Sequence, residues 1–254
     1  MAKFSANLGF LWTELSLPDA IRAAHGAGFE AVECHFPFQT PAGEVKSALE
    51  TTGLPMLGLN TVRGNVDEGE FGLAAVAGAE TRARAAIDQA VDYAAAIGAR
   101  NVHVMAGRHG THQVFIENLS YAAERAAPLG VGLLIEPINR RDAPDYFLSN
   151  VEQAEEIIEE VGGPHLQIMF DCYHVQIMQG DLIKRLEAHL PRIGHVQIAS
   201  VPARNEPDRG EIDYRWLMAA LDDLGYQGYV GAEYVPANTT DTGLGWLRDF
   251  SASP

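Results

Sequence analysis

Short apolar segments recur throughout this chain, and nearly all of them follow a helix-like stretch that ends at glycine. Residues 81–97 show the unit, because their apolar side chains share one helical face, Gly98 closes the stretch, and the apolar segment 101–105 follows. Glycine just beyond a helix adopts the left-handed conformation with which many helices end. Short apolar runs bounded by such signals are typical of strands buried on both faces. Strands that alternate with helices predict a parallel sheet with right-handed crossovers.

The number of these units narrows the fold class. We expect eight strands in the 254 residues, the first at residues 4–8 and the last ending near Glu233, each followed by helical material. This is the size of a (β/α)8 TIM barrel. A doubly wound open sheet usually has fewer strands, and no glycine-rich dinucleotide fingerprint follows the first strand. Because no linker or composition shift interrupts the pattern, we predict an α/β fold with one (β/α)8 barrel domain over residues 1–254.

Every expected strand ends at a polar residue. In a barrel of this kind the chemistry lies at the carboxyl ends of the strands, so these residues are the first candidates for a site. Some polar residues are also expected there simply as rim residues bonded to a neighbouring loop, and for Asn7, Asn60 and His103 both interpretations stay open. The strand-end residues are Asn7, Glu33, Asn60, His103, Glu136, Asp171, Gln197 and Glu233.

Four of these residues fall on consecutive strands and carry oxygen ligands. Glu136, Asp171, Gln197 and Glu233 would bring three carboxylates and one amide to the same half of the rim. Carboxylates so near to one another cannot all stay ionised unaided, so the site either retains protons or binds a cation. Oxygen ligands suit Mg²⁺ or Mn²⁺, whereas zinc would normally recruit more His or Cys. We therefore predict a divalent metal site, with a purely structural carboxylate cluster as the alternative.

A histidine follows one of these carboxylates closely. His174 lies three residues beyond Asp171, where the chain leaves its strand, and could donate to a substrate oxygen. Its alternative role is that of a loop histidine capping the next helix. We interpret His35 as a rim or loop residue rather than a ligand, and Cys34 and Cys172 as small apolar residues.

Charge and composition exclude several kinds of partner. The formal net charge of −16 and the lack of clustered Lys and Arg argue against nucleic acid. No apolar run reaches the length of a membrane span, and no signal region precedes the first strand. Two cysteines without metal-like spacing suggest reduced thiols in a cytoplasmic protein. We expect a small-molecule substrate, and self-association into a homo-oligomer stays an open alternative.

Short motifs occur in order along nearly the whole chain. They are Phe4-Ser5-Ala6-Asn7-Leu8, Phe36-Pro37-Phe38, Val102-His103-Val104-Met105-Ala106-Gly107, Leu134-Ile135-Glu136-Pro137-Ile138-Asn139, Asp171-x-x-His174, His195-Val196-Gln197-Ile198-Ala199, Glu206-Pro207-x-x-Gly210-Glu211-Ile212 and Gly231-x-Glu233-Tyr234. Together they resemble the hydroxypyruvate isomerase family of xylose-isomerase-like barrels, which includes the closely similar 2-oxo-tetronate isomerases.

The resemblance implies a role for each matching residue. Glu136 and Glu233 match the paired catalytic glutamates and, with Asp171 and Gln197, the metal-binding set. His174 matches a substrate-contacting histidine, and Arg204 falls where a substrate-binding arginine is expected. Glu211 matches a family glutamate without an assigned role. In this family the Glu-Tyr pair is commonly followed by Lys-Pro, whereas Val235 replaces that lysine here and removes a cation expected near the acid substrate.

The reaction that this resemblance implies is an aldose–ketose-type isomerisation. Hydroxypyruvate and tartronate semialdehyde would interconvert through an enediol, with the two glutamates sharing the acid and base roles and Arg204 holding the substrate carboxylate through a bidentate pair. A 2-oxo-tetronate isomerase is the alternative with the same chemistry. A ketose 3-epimerase and a barrel that binds a sugar acid or metal without turnover are more distant alternatives, and a multi-zinc nuclease is disfavoured by the missing His ligands.

Overall fold

Eight parallel strands form the centre of the molecule. The computed structural model describes residues 2–251, so that Met1 and residues 252–254 of the predicted domain lie outside the described residues. The strands follow one another along the chain with at least one helical segment between them. They are β1 (Lys3–Asn7), β2 (Ala31–Glu33), β3 (Gly58–Asn60), β4 (Asn101–His103), β5 (Gly132–Ile135), β6 (Leu166–Asp171), β7 (Ile193–Ile198) and β8 (Tyr229–Ala232).

The sheet nearly closes on itself. Its strand order is β2-β1-β8-β7-β6-β5-β4-β3, with every pair parallel. At the seam the backbone N–H of Val32 donates to the Pro55 carbonyl at 3.0 Å, and that of Leu57 donates to the Val32 carbonyl at 2.8 Å. The prediction of a (β/α)8 TIM barrel is confirmed, because a sheet joined across this seam has its eight carboxyl ends on one rim.

Helices cover the outside of the sheet. In α3 the buried positions, from Ala83 to Ile97, share one face, and Gly98 follows with a φ of 74°, as the apolar periodicity and the glycine predict. No helix within residues 2–251 has the length and apolar character needed to cross a bilayer. The helices are α1 (Leu17–Ala27), α2 (Ala42–Thr52), α3 (Glu80–Ile97), α4 (His112–Ala126), α5 (Val151–Val161), α6 (Cys172–Met178), α7 (Leu182–His189), α8 (Tyr214–Asp223), α9 (Thr240–Gly243) and α10 (Gly245–Ser251).

One helix differs from what the sequence suggests. Residues 172–178 form α6 directly after β6, where we expected only a turn that leads toward α7. The helix starts there because Oδ1 of Asp171 accepts the backbone N–H of Tyr173 at 2.8 Å and so caps the first turn. His174 is consequently a helical residue and not a loop residue.

Candidate active site

Three strand ends and one helix bring a group of ionisable side chains together. Glu136 follows β5, Asp171 ends β6, Glu233 follows β8, and His174 lies in the first turn of α6. One ligand-capable atom from each lies within 4.8 Å of the others, and all four residues are buried. The structure therefore places the three predicted carboxylates and the predicted histidine in one cluster.

Gln197 lies beside this cluster in the sheet. It is the register partner of Asp171 across the β6–β7 pair. Its amide nitrogen Nε2 donates to Oε2 of Glu33 at 3.0 Å, whereas its amide oxygen is buried without a hydrogen-bond donor among the described residues. A bond to the nitrogen end leaves the oxygen end as the one free to act as a ligand.

Unpaired buried oxygens test whether these residues fit a metal ion. Oε1 of Glu136, Oδ2 of Asp171 and Oε1 of Gln197 have no hydrogen-bond partner within residues 2–251, although each is buried. Leaving such groups unpaired is costly, and buried charges are normally paired or coordinate a metal. An all-oxygen set of this kind matches the preference of hard divalent cations. The donor chemistry therefore fits the predicted cation.

The carboxylates differ in their electrostatic surroundings. Burial, followed by the charges of Glu233 and Asp171, raises the pKa of Glu136 well above its usual value. Burial and the charge of Glu233 raise the pKa of Asp171 to about 8. Burial also acts upward on Glu233, but the hydrogen bond from His35 and the positive charge of Arg204 outweigh it and lower the pKa to about 2. The neighbours thus separate the protonation equilibria of three chemically similar groups.

Arg204 is the cation of this cluster. Its Nη2 donates to Oε2 of Glu233 at 2.8 Å and lies 3.6 Å from Oδ2 of Asp171. The guanidinium carbon lies 4.9 Å from the ring centre of Phe10 and 5.0 Å from that of Tyr173. Stacking on two rings fixes the plane of the guanidinium. The cation that was predicted to bind substrate therefore already pairs with a glutamate of the cluster.

His174 is held in one orientation. Its Nδ1 accepts from the backbone N–H of Asn139 at 3.3 Å, and its Nε2 lies 3.5 Å from Oδ2 of Asp171 and 3.6 Å from Oε1 of Glu136. Burial and the charge of Arg204 lower the pKa of His174 to about 3. A neutral ring that accepts at Nδ1 carries its proton on Nε2, so His174 presents a donor to the pocket.

The sequence did not reveal that His35 and Asn7, the latter a strand-end residue whose role was left open, both hold Glu233. His35 Nε2 lies 2.9 Å from Oε1 of Glu233, and the Asn7 amide donates to the same oxygen at 3.0 Å. His35, interpreted from the sequence as a rim or loop residue rather than a ligand, contacts a cluster carboxylate directly. Its position two residues after a strand-end glutamate was the available signal. His103, also at a strand end, lies with Nδ1 3.5 Å from Oε2 of Glu136, and neither of its ring nitrogens makes a hydrogen bond to a described residue.

Glu33 organises a second layer beneath the cluster. It is buried inside the barrel, where His195 Nε2 and Gln197 Nε2 each lie 3.0 Å from its Oε2. Ser5 donates to its other oxygen at 3.3 Å. Gly231 makes room for this group, since a Cβ there would overlap Oε1 of Glu33 and lie 2.8 Å from His195 Nε2.

A pocket of about 450 Å³ opens above the cluster. Glu136, His174, Arg204 and Glu233 line it, and Glu211 and Val235 are not among its lining residues. Val235 is 44 % exposed, and as a valine it supplies no charge at the position where the resemblance leads us to expect a lysine. The volume lies within the range of small-molecule sites.

The fold and the cluster together define a (β/α)8 barrel with a buried carboxylate site at the carboxyl ends of its strands. The family model described as "Xylose isomerase-like TIM barrel" matches residues 21–250. The chain belongs to this family, and the resemblance inferred from its motifs is confirmed.

Full-length relatives agree with this assignment. The 2-oxo-tetronate isomerase of Cupriavidus necator is 43% identical over 98% of this chain and 99% of its own length. The hydroxypyruvate isomerase of Escherichia coli is 36% identical over 98% of this chain and 100% of its own length. A crystal structure of an AP endonuclease, family 2, from Brucella melitensis has a TM-score of 0.94 and 38% identity, and the match covers 98% of this chain and 99% of that one.

Proposed function

We propose that this protein is an isomerase of a small hydroxy-oxo acid, which interconverts hydroxypyruvate and tartronate semialdehyde. The observation that carries the proposal is the convergence of Glu136 and Glu233, from strands three apart in the sheet, on one buried cluster that opens into a pocket. Moving a hydrogen between adjacent carbons requires one group to remove a proton and one to return it. The relatives named as isomerases support the same reaction class.

Each proposed role uses contacts of this chain. One glutamate of the Glu136–Glu233 pair removes the proton from C3 of hydroxypyruvate, and the other delivers a proton to C2, while a hydroxyl proton moves from O3 to O2. His174 Nε2–H donates to a substrate oxygen. Arg204, whose Nε is buried without an acceptor among the described residues, has a further N–H to offer the substrate while Nη2 retains Glu233.

The predicted cation belongs to the same proposal. Glu136, Asp171, Gln197 and Glu233 would hold Mg²⁺ or Mn²⁺, and three buried oxygens among them that lack a hydrogen bond within residues 2–251 support this assignment. A divalent ion there would polarise the carbonyl group and stabilise negative charge that develops on substrate oxygens.

A 2-oxo-tetronate isomerase is the second candidate. The relative from Cupriavidus necator carries that name, and a pocket of about 450 Å³ leaves room for a fourth carbon. Of the more distant alternatives, a ketose 3-epimerase would form a different product and a non-catalytic binding barrel would form none. A nuclease activity is not favoured, because the net charge of −16 opposes phosphate-backbone binding.

The decisive experiment measures turnover of both acids with and without chelator. We expect isomerisation that EDTA abolishes and Mn²⁺ or Mg²⁺ restores, and a loss of at least about 100-fold in kcat for Glu136→Gln and for Glu233→Gln. Glu124→Gln, an exposed position on α4, is the matched control. Full activity in either cluster variant would refute the two-glutamate mechanism. If the protein binds the substrate tightly in heavy water but the substrate gains no deuterium, the barrel is non-catalytic.

Two coarser properties complete the proposal. Cys34 and Cys172 are both unpaired thiols, which fits a reducing, cytoplasmic compartment. We further propose that residues 1–254 act as one domain, with a small-molecule substrate as the partner.

A further inference from the structure

The charges around the cluster raise the question of where an acid substrate places its carboxylate. Arg204 faces Glu233 and Asp171, and its pKa is raised by the charges of Glu233, Asp171 and Glu136 against the effect of burial. A cation that already faces two carboxylates is a poor sole receptor for a third, because the like charges repel one another. The expected lysine is replaced by Val235, so a different cation is needed.

Arg63 is a second cation on the wall of the same pocket. It follows β3, on the opposite side of the barrel from the β6–β8 part of the cluster. Its guanidinium carbon lies 4.9 Å from the ring centre of Phe36 and 5.7 Å from that of Phe71. Its carbonyl accepts the backbone N–H of Gly72 at 2.8 Å. Ring stacking and a fixed backbone hold the charge at the pocket without using its N–H donors.

No carboxylate within residues 2–251 forms an ion pair with Arg63, and its side chain makes no hydrogen bond there. Many other arginines of the described chain form ion pairs or side-chain hydrogen bonds. Arg82, for example, pairs with Glu70 at 2.6 Å, and Arg141 donates to Tyr173 and to the Pro202 carbonyl, each at 3.2 Å. A stacked guanidinium with free donors, half-buried in a pocket, is a suitable receptor for a planar carboxylate.

We propose that Arg63 binds the carboxylate of the substrate and thereby selects acids over neutral sugars. The inference rests on the proposed function and deepens it. The substrate then lies across the pocket, with its carboxylate at Arg63 and its hydroxy-carbonyl carbons at Glu136 and Glu233. Arg204 remains with the cluster, and the bidentate pair expected for it is assigned to Arg63 instead.

The test compares a charged and an uncharged probe that the enzyme does not need to convert. D-Glycerate carries one carboxylate, whereas dihydroxyacetone carries none. By calorimetry, we expect Arg63→Met to raise the Kd of D-glycerate at least 10-fold and to leave that of dihydroxyacetone within 2-fold. Arg63→Lys should recover part of the D-glycerate affinity. In turnover, Arg63→Met should raise KM at least 10-fold with kcat changed less than 3-fold.

Arg108→Met is the matched control. The Arg108 guanidinium carbon lies 5.8 Å from the ring centre of the same Phe71, but Arg108 does not line the pocket. Arg108→Met should leave the Kd of D-glycerate and that of dihydroxyacetone unchanged. Arg63→Gln provides a second charge-removing variant if Arg63→Met unfolds, with circular dichroism as the check.

Three results would overturn the proposal. These are unchanged D-glycerate affinity in Arg63→Met, equal weakening of both probes, and no D-glycerate binding to the wild type. Failure of the proposed function is distinguishable, because it would appear as lack of isomerisation by the wild type while the Arg63-dependent binding of D-glycerate persists.

Discussion

The backbone N–H of Asn139 donates to Nδ1 of His174 at 3.3 Å and so determines which nitrogen of this buried ring carries the proton. The side-chain amide nitrogen Nδ2 of Asn139 lies 2.6 Å from the same Nδ1 and strengthens the preference for a proton on Nε2. Because the backbone N–H donates whichever way the side-chain amide of Asn139 is flipped, the Nε2–H assignment of His174 does not depend on that amide's orientation.

A donor role for His174 predicts an unequal response to two substitutions. His174→Leu removes the donor and should lower kcat about 100-fold, the typical cost of losing a donor to developing charge. His174→Gln keeps an N–H in reach, so its loss in kcat should be at least about tenfold smaller than that of His174→Leu. Steady-state kinetics on the proposed substrates measures both. Equal losses would instead indicate that the ring must accept a proton.

Glu33 should control metal affinity through Gln197. It binds the amide nitrogen at 3.0 Å and so presents the amide oxygen to the cluster. Partners that orient metal ligands typically contribute about 10- to 100-fold in affinity, so we expect Glu33→Gln to raise the Kd for Mn²⁺ about 10-fold. Ser5→Ala, which loses a 3.3 Å hydrogen bond to the other oxygen of Glu33, is the control and should change the Kd for Mn²⁺ little. Calorimetric titration of the metal alone decides, and identical affinities for Glu33→Gln and wild type would disprove the role.

Gly231→Ala should destabilise the barrel. The new methyl group would overlap Glu33 Oε1, and packing an extra methyl into a filled interior costs about 1–3 kcal/mol. Gly26→Ala is the matched substitution, since it lies within α1 with open space around it and should gain about 0.5–1 kcal/mol from helix propensity. Urea denaturation measures both free energies of unfolding. A Gly231→Ala protein as stable as the wild type would show that the interior repacks freely.

The two thiols should be unreactive in the folded protein. Burial, with the nearby charges of Glu33 and Asp171 respectively, raises the pKa of both Cys34 and Cys172 well above the ordinary value. Because the thiolate is the reactive form, a thiol-specific reagent at pH 8 should modify neither residue until denaturant is added, when both react. Rapid labelling of either thiol under native conditions would contradict this expectation.

Apolar periodicity and glycine positions were sufficient to predict the eight strands, because burial on both faces requires continuous apolar runs. Strand ends pointed to Glu136, Asp171 and Glu233 for a related reason, since parallel strands deliver their last residues to one rim. What the pattern lacked was side-chain pairing between distant strands. The contact of His35 with Glu233 joins residues 198 positions apart, and no local signal encodes it.

The position of Gln197 beside Asp171 depends on strand register. The β6–β7 pairing shifts between Ile168 and Met169, and this shift brings Asp171 level with Gln197. A register shift of one residue exchanges the faces of every later side chain, so it could not be read from the alternation of a short strand. The sequence did not point to Arg63 for another reason. What distinguishes this arginine is that it lines the pocket without a carboxylate partner within residues 2–251, and recognising this requires the positions of all the described neighbours.

The pairing of β1 with β8 has a consequence for synthesis of the chain. Glu233 is held by Asn7 from the first strand, and it becomes part of the cluster only when the eighth strand has joined the sheet. A ribosome-bound chain that stops short of β8 therefore carries Glu136 and Asp171 but lacks the group that completes the set. The proposed chemistry is thereby tied to completion of the sheet, so that unfinished chains lack one of the two proposed catalytic glutamates and one of the four proposed metal ligands.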